Sequence, residues 1–259
     1  MLKITYIGHA TLLIETAGTR LLTDPLLRNR VMHLRRHTGR VPEQLLQNLD
    51  AVLISHLHWD HFDLPSLKKI PGDPEFIVPF GGGKLLQEKG WEKIREVYLG
   101  DKINIGDLHV RAVYADHGRD LLTLGRKADC LGYMIEGDYS IYFPGDTDVF
   151  PGMTRLSNDL DVALVPVWGW GLTLGSGHMN PDRAATALQL LQPRVAIPIH
   201  WGTYFPLGFG RLSHRFLRRP PRLFKRRAER QAPQVNILHM EPGETVDLST
   251  IMTGESIDQ

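Results

Sequence analysis

Three imidazoles and a carboxylate fall within six residues of the stretch Ser55-His56-Leu57-His58-Trp59-Asp60-His61-Phe62-Asp63. Imidazole and carboxylate are the side chains that bind Zn, Mn or Fe ions. A lone histidine is usually an ordinary surface or core residue. Four ligand-type residues spaced His-x-His-x-Asp-His carry a different signal. Spread over a strand end and a tight loop, they can converge from several directions on two adjacent points. Metal binding is the chemistry they imply.

Such convergence needs rigid supports. The cluster follows the apolar run Ala51-Val52-Leu53-Ile54, which lacks alternation and predicts a strand covered on both faces. Three further ligand-type residues keep the same address. His117 follows a predicted strand at Leu108–Ala115, Asp146 follows one at Tyr139–Phe143, and His200 follows one at Arg194–Ile199. Binding residues gather on loops held by a rigid scaffold. His9, in the Gly8-His9-Ala10 break, reads equally as a site-lining residue or a strand-turn histidine.

The remaining elements follow from local pattern. Leu2–Ile7, Thr11–Thr16 and Arg20–Thr23 predict a strand meander, and Gly137-Asp138 predicts a hairpin. Asp63 can cap a helix over Leu64–Ile70. Asn180 and Pro181 open the clearest helix, which ends before Pro193. Few long helices are available to cover a doubly wound parallel sheet. The pattern therefore predicts an α+β fold, a four-layer αββα sandwich of two face-to-face sheets with helices outside, formed as a single domain over 1–259.

Composition sets the outer bounds. With 259 residues, 42% hydrophobic and 23% charged, the chain can bury a sizeable core. Cys130 is the sole cysteine, which excludes an intrachain disulfide and a Cys-rich structural zinc site. No Gly-x-Ser-x-Gly elbow is present. No apolar run approaches the roughly 18–20 residues of a membrane span, and no signal-peptide pattern is seen, so a cytoplasmic location is expected.

Taken together, these residues resemble the metallo-β-lactamase superfamily over nearly the whole chain. Besides the central motif, Ile7-Gly8-His9-Ala10-Thr11, Leu22-Thr23-Asp24-Pro25, Pro144-Gly145-Asp146-Thr147, His178-Met179-Asn180-Pro181 and Pro198-Ile199-His200-Trp201-Gly202-Thr203 carry the likeness. The first, second and fourth of these point to the branch of ascorbate-6-phosphate lactonase and N-acyl-phosphatidylethanolamine-hydrolysing phospholipase D. The resemblance implies one metal held by His56, His58 and His117, and a second held by Asp60, His61 and His200, with Asp146 bridging. It implies that Asp24 orients a ligand from behind and that His178 reaches the substrate. Asp60, His178 and Asp24 are the candidate catalytic residues. Two divalent ions, Zn foremost and Mn or Fe as alternatives, would activate a bridging hydroxide as nucleophile.

Substrate signals lie elsewhere. The stretch Arg28–Arg40 holds five arginines and no acid, and reads as an ordered or partly mobile loop. Residues 211–230 hold nine Lys/Arg and one acid, Glu229; the other 21 basic residues face 28 acids, a formal charge of −7 without the segment. Such clumping suits a solvated face or attraction of a small anionic substrate. Interleaved Leu212, Phe216, Leu217, Leu223 and Phe224 favour packing or peripheral contact with anionic lipid. Trp59, Trp168, Trp170, Trp201, Tyr204, Phe205 and Phe209 flank the ligands as core residues or pocket walls. Gly81-Gly82-Gly83 lacks the Lys-Ser/Thr pair of a phosphate loop. The favoured expectation is hydrolysis of an anionic phosphodiester, lipid-like ones included. A phosphorylated sugar lactone is the rival substrate, and an anionic-surface or nucleic-acid binding protein is the rival class. A nucleic-acid substrate is disfavoured, because RNA-processing relatives need extra domains or a long arm. Oligomeric state leaves no trace in the residues.

Overall fold

The computed structural model describes residues 1–117, 128–169, 174–208 and 212–253, with the side chains of 212–214 and 253 excluded. The meander forms as predicted, as β1 (Leu2–Gly8), β2 (Thr11–Thr16) and β3 (Thr19–Thr23). Ala17 and Gly18 close the second hairpin with positive φ of 48° and 71°, the backbone that a two-residue turn requires.

Residues 28–40 are more ordered than their charge suggests. They contain the hairpin of β4 (Arg30–Val31) and β5 (Leu34–Arg36). Arg36 is only 6% exposed and donates to the carbonyls of Ile7 at 2.6 Å, Leu26 at 3.1 Å and Gly39 at 3.2 Å. A guanidinium with several donors in a fixed fork can satisfy that many carbonyls at once. The sequence marks it as surface charge, yet it ties the loop down from inside.

Next come β6 (Ala51–Leu53), α1 (Leu64–Leu67), β7 (Glu75–Pro79), α2 (Gly83–Gln87) and β8 (Ile94–Val97). Asp63 caps α1, accepting from the Ser66 amide at 3.1 Å. The helix stops short of the predicted Ile70, and the chain continues in tighter turns, with the amides of Lys69 and Ile70 bonded three residues back. Then follow β9 (Lys102–Ile105), β10 (Leu108–Tyr114), β11 (Leu131–Glu136), β12 (Ser140–Phe143), β13 (Val162–Pro166), α3 (Pro181–Leu191) and β14 (Val195–Ile199). The Asn180 side chain accepts from the amides of Asp182 and Arg183 at 3.0 Å each, as its cap position predicts. The chain closes with β15 (Tyr204–Pro206), α4 (Leu212–Gln231), β16 (Asn236–Ile237), β17 (Thr245–Asp247) and α5 (Ser249–Thr253).

Two mixed sheets result, ordered β17-β1-β2-β3-β6-β7-β8 and β16-β14-β13-β12-β11-β10-β9, beside a small ribbon β15-β5-β4. Side chains alternate across a strand, and the first sheet divides its residues accordingly. Ile4, Leu12, Leu21 and Leu53 join the main core with residues of the second sheet and α3. Leu13, Leu22, Val52 and Phe76 join an outer cluster with Leu67 and Leu86 of the covering helices. Both faces are buried, which is why Ala51–Leu53 shows no alternation. The result is the expected α+β sandwich. Among the described residues no helix is long and apolar enough to cross a membrane.

Candidate metal centre

The strands of both sheets deliver their ends to one place. The central loop leaves β6 at Ser55, whose carbonyl accepts from Leu131 at the start of β11 (2.9 Å) and so joins the sheets. It then turns sharply, with the amides of His61 and Phe62 both bonded to the His58 carbonyl at 3.0 and 2.8 Å. This turn brings His58, Asp60 and His61 back beside His56. Pro144-Gly145 aims Asp146 inward from β12. Gly145 has φ +62°, and a Cβ there would meet Ser55 Cβ at 2.5 Å, so the position needs glycine twice over.

Two groups of ligand atoms form. His56 Nε2 and His117 Nε2 each lie 3.0 Å from His58 Nδ1. His61 Nε2 lies 3.2 Å from His200 Nε2 and 3.8 Å from Asp60 Oδ2. Asp146 reaches across, with Oδ2 3.2 Å from His61 Nε2 and Oδ1 3.2 Å from His200 Nε2; it also groups with His117 and His178. All seven expected ligand positions are thus brought together, each no more than 7% exposed.

Behind them stands a layer of partners that sets the tautomers. His117 Nδ1 donates to the Gly177 carbonyl at 2.8 Å, and His200 Nδ1 donates to the Trp168 carbonyl at 2.7 Å. His61 Nδ1 donates to Asp24 Oδ2 at 2.7 Å. Asp24 also accepts from the Ser55 amide at 2.7 Å and the Ser55 hydroxyl at 2.5 Å. That hydroxyl, its proton committed to Asp24, accepts from His56 Nδ1 at 2.9 Å. With Nδ1 the donor, each of these four rings, when neutral, points an Nε2 lone pair inward. Facing lone pairs repel unless a cation lies between them. Asp146 Oδ1, in the midst of them, is buried without a hydrogen-bond partner. The donor set therefore fits divalent cations, and these clusters are able to hold them.

Charge follows the same logic. Burial and the neighbouring rings of His117 and His61 lower His58 to about 4, and burial lowers His200 to about 3. Burial likewise pushes His56 well down. Neutral imidazoles are what a metal needs. For His61 burial acts downward, but the carboxylates of Asp146 and Asp60 outweigh it and hold the ring well above its ordinary value. In the metal-free chain a proton on His61 takes a cation's place. Burial pushes Asp24 upward, against the hydrogen bonds from His61 and Ser55.

His178 sits at the rim, its side chain 23% exposed, with Nε2 3.2 Å from Asp146 Oδ2 and Nδ1 donating to the Ser176 carbonyl at 3.1 Å. Burial acts downward, but Asp146 prevails and raises His178 to about 9. His9 proves to be in the site. Its Nε2 lies 3.1 Å from Asp60 Oδ2, it groups with Asp60, His61 and His200, and it is 1% exposed. It directly follows β1, the same strand-end address that distinguished the others.

Several expected contributors turn elsewhere. Arg28 forks onto Asp63 at 2.8 and 2.6 Å and is not free for a substrate. Trp201, Tyr204 and Phe205 are each 1% exposed and serve as core. Trp59 is half-buried over Leu26, Val31 and Leu34. The amides of Gly81 and Gly83 both donate to Glu96 Oε1 at 2.8 Å, so that turn binds its own carboxylate. Trp170, Phe209 and Arg211 lie outside the described residues.

Comparison with known proteins agrees with the geometry. The β-lactamase superfamily domain matches residues 19–201. A UPF0173 protein of Pyrococcus furiosus is 32% identical, over 78% of this chain and 85% of the relative. A UPF0173 metal-dependent hydrolase of Koribacter versatilis is 31% identical, over 94% of this chain and 97% of its own. Igni18, a metallo hydrolase of Ignicoccus hospitalis, superposes with a TM-score of 0.70 at 25% identity, covering 95% of this chain and 97% of that one. A strand-end cluster of histidines and aspartates on this fold, shared with such relatives, shows that the chain belongs to the β-lactamase superfamily and is a metal-dependent hydrolase of the metallo-β-lactamase fold.

Proposed function

We propose that the protein is a dinuclear hydrolase of anionic phosphodiesters, lipid-like ones included. The observation that carries this reading is the position of Asp146 between two ligand groups, within 3.2 Å of His61 and His200 and grouped with His117. One cation would be held by His56, His58 and His117, and the other by Asp60, His61 and His200. Bound there, Zn, Mn or Fe would supply Lewis acidity and lower the pKa of a water toward neutrality.

The chain's own residues do the rest. Asp24 holds the His61 ring in one orientation and one tautomer. His9 lies 3.1 Å from Asp60 Oδ2, the oxygen that also faces His61, and so orients that carboxylate. His178, partly exposed at the rim beside Asp146, would hold an anionic oxygen of the substrate. A phosphodiester carries an anionic oxygen that an imidazole N–H at the rim can engage, which supports it over a neutral ester.

The test is direct. Chelator-stripped protein should be inactive and regain activity with Zn, Mn or Fe. It should then be assayed side by side on bis-nitrophenyl phosphate and on a lactone panel. Activity on lactones alone would transfer the assignment to a phosphorylated sugar lactone. Tight, steeply salt-dependent DNA binding without any hydrolysis would make the protein a binder on a hydrolase scaffold.

A further inference from the structure

The basic helix and the ribbon beside it form one surface whose charge is largely without an ion-pair partner among the described residues. Helix α4 is divided cleanly along its length. Leu217, Phe224 and Ala228 are buried in the protein, with Phe224 fully so. Arg215, Arg218, Arg219, Arg222 and Arg226 are exposed and, with Leu223, line an open groove of about 580 Å³. The spacing of three and four residues puts all five on one helical face, about 16 Å long at 1.5 Å per residue. Arg227 pairs with Asp182, but among the described residues these five have no ion-pair partner.

The ribbon continues this surface. Phe216 of α4 stacks on Phe205 of β15 at 5.6 Å. Phe205 is in register with Arg35, which is in register with Arg30, and both arginines are exposed. Between these arginines the hairpin tip presents Met32, 70% exposed, and Leu207 stands 38% exposed with its amide bonded to the His33 carbonyl at 3.0 Å. Met32 and Leu207 thus stand exposed beside arginines. They suit a layer with a charged skin and an apolar interior. The ribbon also adjoins the metal centre, because Trp59, between His58 and Asp60, packs on Val31 and Leu34.

We propose that this ribbon-and-helix face docks the protein peripherally on a bilayer of anionic phospholipid, the arginines engaging headgroup phosphates and Met32 and Leu207 entering the interface. Arginine forks match phosphate oxygens, and a row of them near a membrane adds attraction with each residue. Nucleic acid fits less well. Single strands need aromatic platforms for their bases, and here Phe216 and Phe224 turn inward. The inference does not depend on which bond the metal centre cleaves.

Flotation of the full chain with vesicles tests it without reading turnover. The protein should float with phosphatidylcholine–phosphatidylserine vesicles, stay behind with phosphatidylcholine alone, and be released by salt. Removing an arginine should weaken partitioning about fivefold, so R218A/R222A should bind about 25-fold more weakly. M32S should bind more weakly with the salt dependence unchanged. Both variants should keep the parent's thermal melt and its turnover on a water-soluble substrate. The proposal is overturned if the parent ignores serine-containing vesicles, if it binds both kinds equally, or if R218A/R222A binds as well as the parent. Binding to an oligonucleotide but not to vesicles would likewise overturn it and assign the face to nucleic acid.

Discussion

His9 and His200, far apart in the sequence, hold each other in place. The His200 amide donates to the His9 carbonyl at 2.8 Å, and the two rings lie 3.9 Å apart. Both residues have left-handed backbones, with φ of 59° and 63°, as does Asp24 at 32°. Each such non-glycine residue costs about 1–3 kcal/mol and persists only where its surroundings over-determine it. Here the strain gathers at the metal centre, where it aims three side chains that an ordinary strand end would turn away.

Thr203 locks this pair. Its Oγ1 accepts from the His9 amide at 2.8 Å and donates to the Trp201 carbonyl at 3.1 Å. Thr203→Val keeps the shape but leaves a buried amide unsatisfied, which should lower stability by about 1–3 kcal/mol. Chemical denaturation would show this, together with weaker metal retention on dialysis. An unchanged denaturation midpoint would mean that the lock carries no energy.

Asp24→Asn removes the charge that fixes His61 while keeping its size. Losing such a partner typically weakens metal affinity or activity by about 10–100-fold. Competition against a chromophoric chelator would read the affinity. Affinity equal to the parent's would rule out Asp24 as an orienting residue.

His178→Ala should lower turnover while the ratio of metal to protein stays at the parent's. The rim position and partial exposure of the ring separate it from the buried ligands. Turnover equal to the parent's would remove His178 from the mechanism. A fall in metal content instead would place it among the ligands, as its grouping with His117 and Asp146 also allows.

Acid should loosen the metal-free protein before it protonates the carboxylates. His58 and His200 titrate at about 4 and about 3 in the fold, against 6.5 when unfolded. Below 6.5 the unfolded chain takes up these protons first, so their contribution is present above that pH and fades as pH falls toward 4. His61 is raised, hence protonated in both states across this window, and does not offset the loss. Melting temperatures of chelator-treated protein should therefore drop between pH 6.5 and 4. A flat profile there would refute the buried-neutral assignment.

Phe224 anchors the arginine helix. It is 0% exposed in the main core, so Phe224→Ala should lower stability by about 3–5 kcal/mol. Calorimetry on the parent and the variant would measure this. A loss below 1 kcal/mol would indicate that α4 is held chiefly by other contacts.

The candidate ligand residues were legible because a metal centre demands chemical types that have few other reasons to cluster, each at a strand end. Strand positions were legible from apolar runs and turn residues, and α3 from Asn180 and Pro181. Helix α4 was not, since Pro220 and Pro221 each remove a backbone donor and ordinarily break a helix. Both rings are buried in this fold, and tertiary packing outweighs the local preference. The fates of Arg28 and Arg36 were equally hidden, whereas His9 stood open between a site and a turn residue. A charge reads as surface until a partner such as Asp63, or the carbonyl of Ile7, is brought to it from a distant segment. By itself the sequence determined which atoms can bind metal and roughly which strands carry them. Only the folded chain decided which rings face one another, which nitrogen each presents, and which arginines remain free, because those outcomes depend on contacts between residues far apart in sequence.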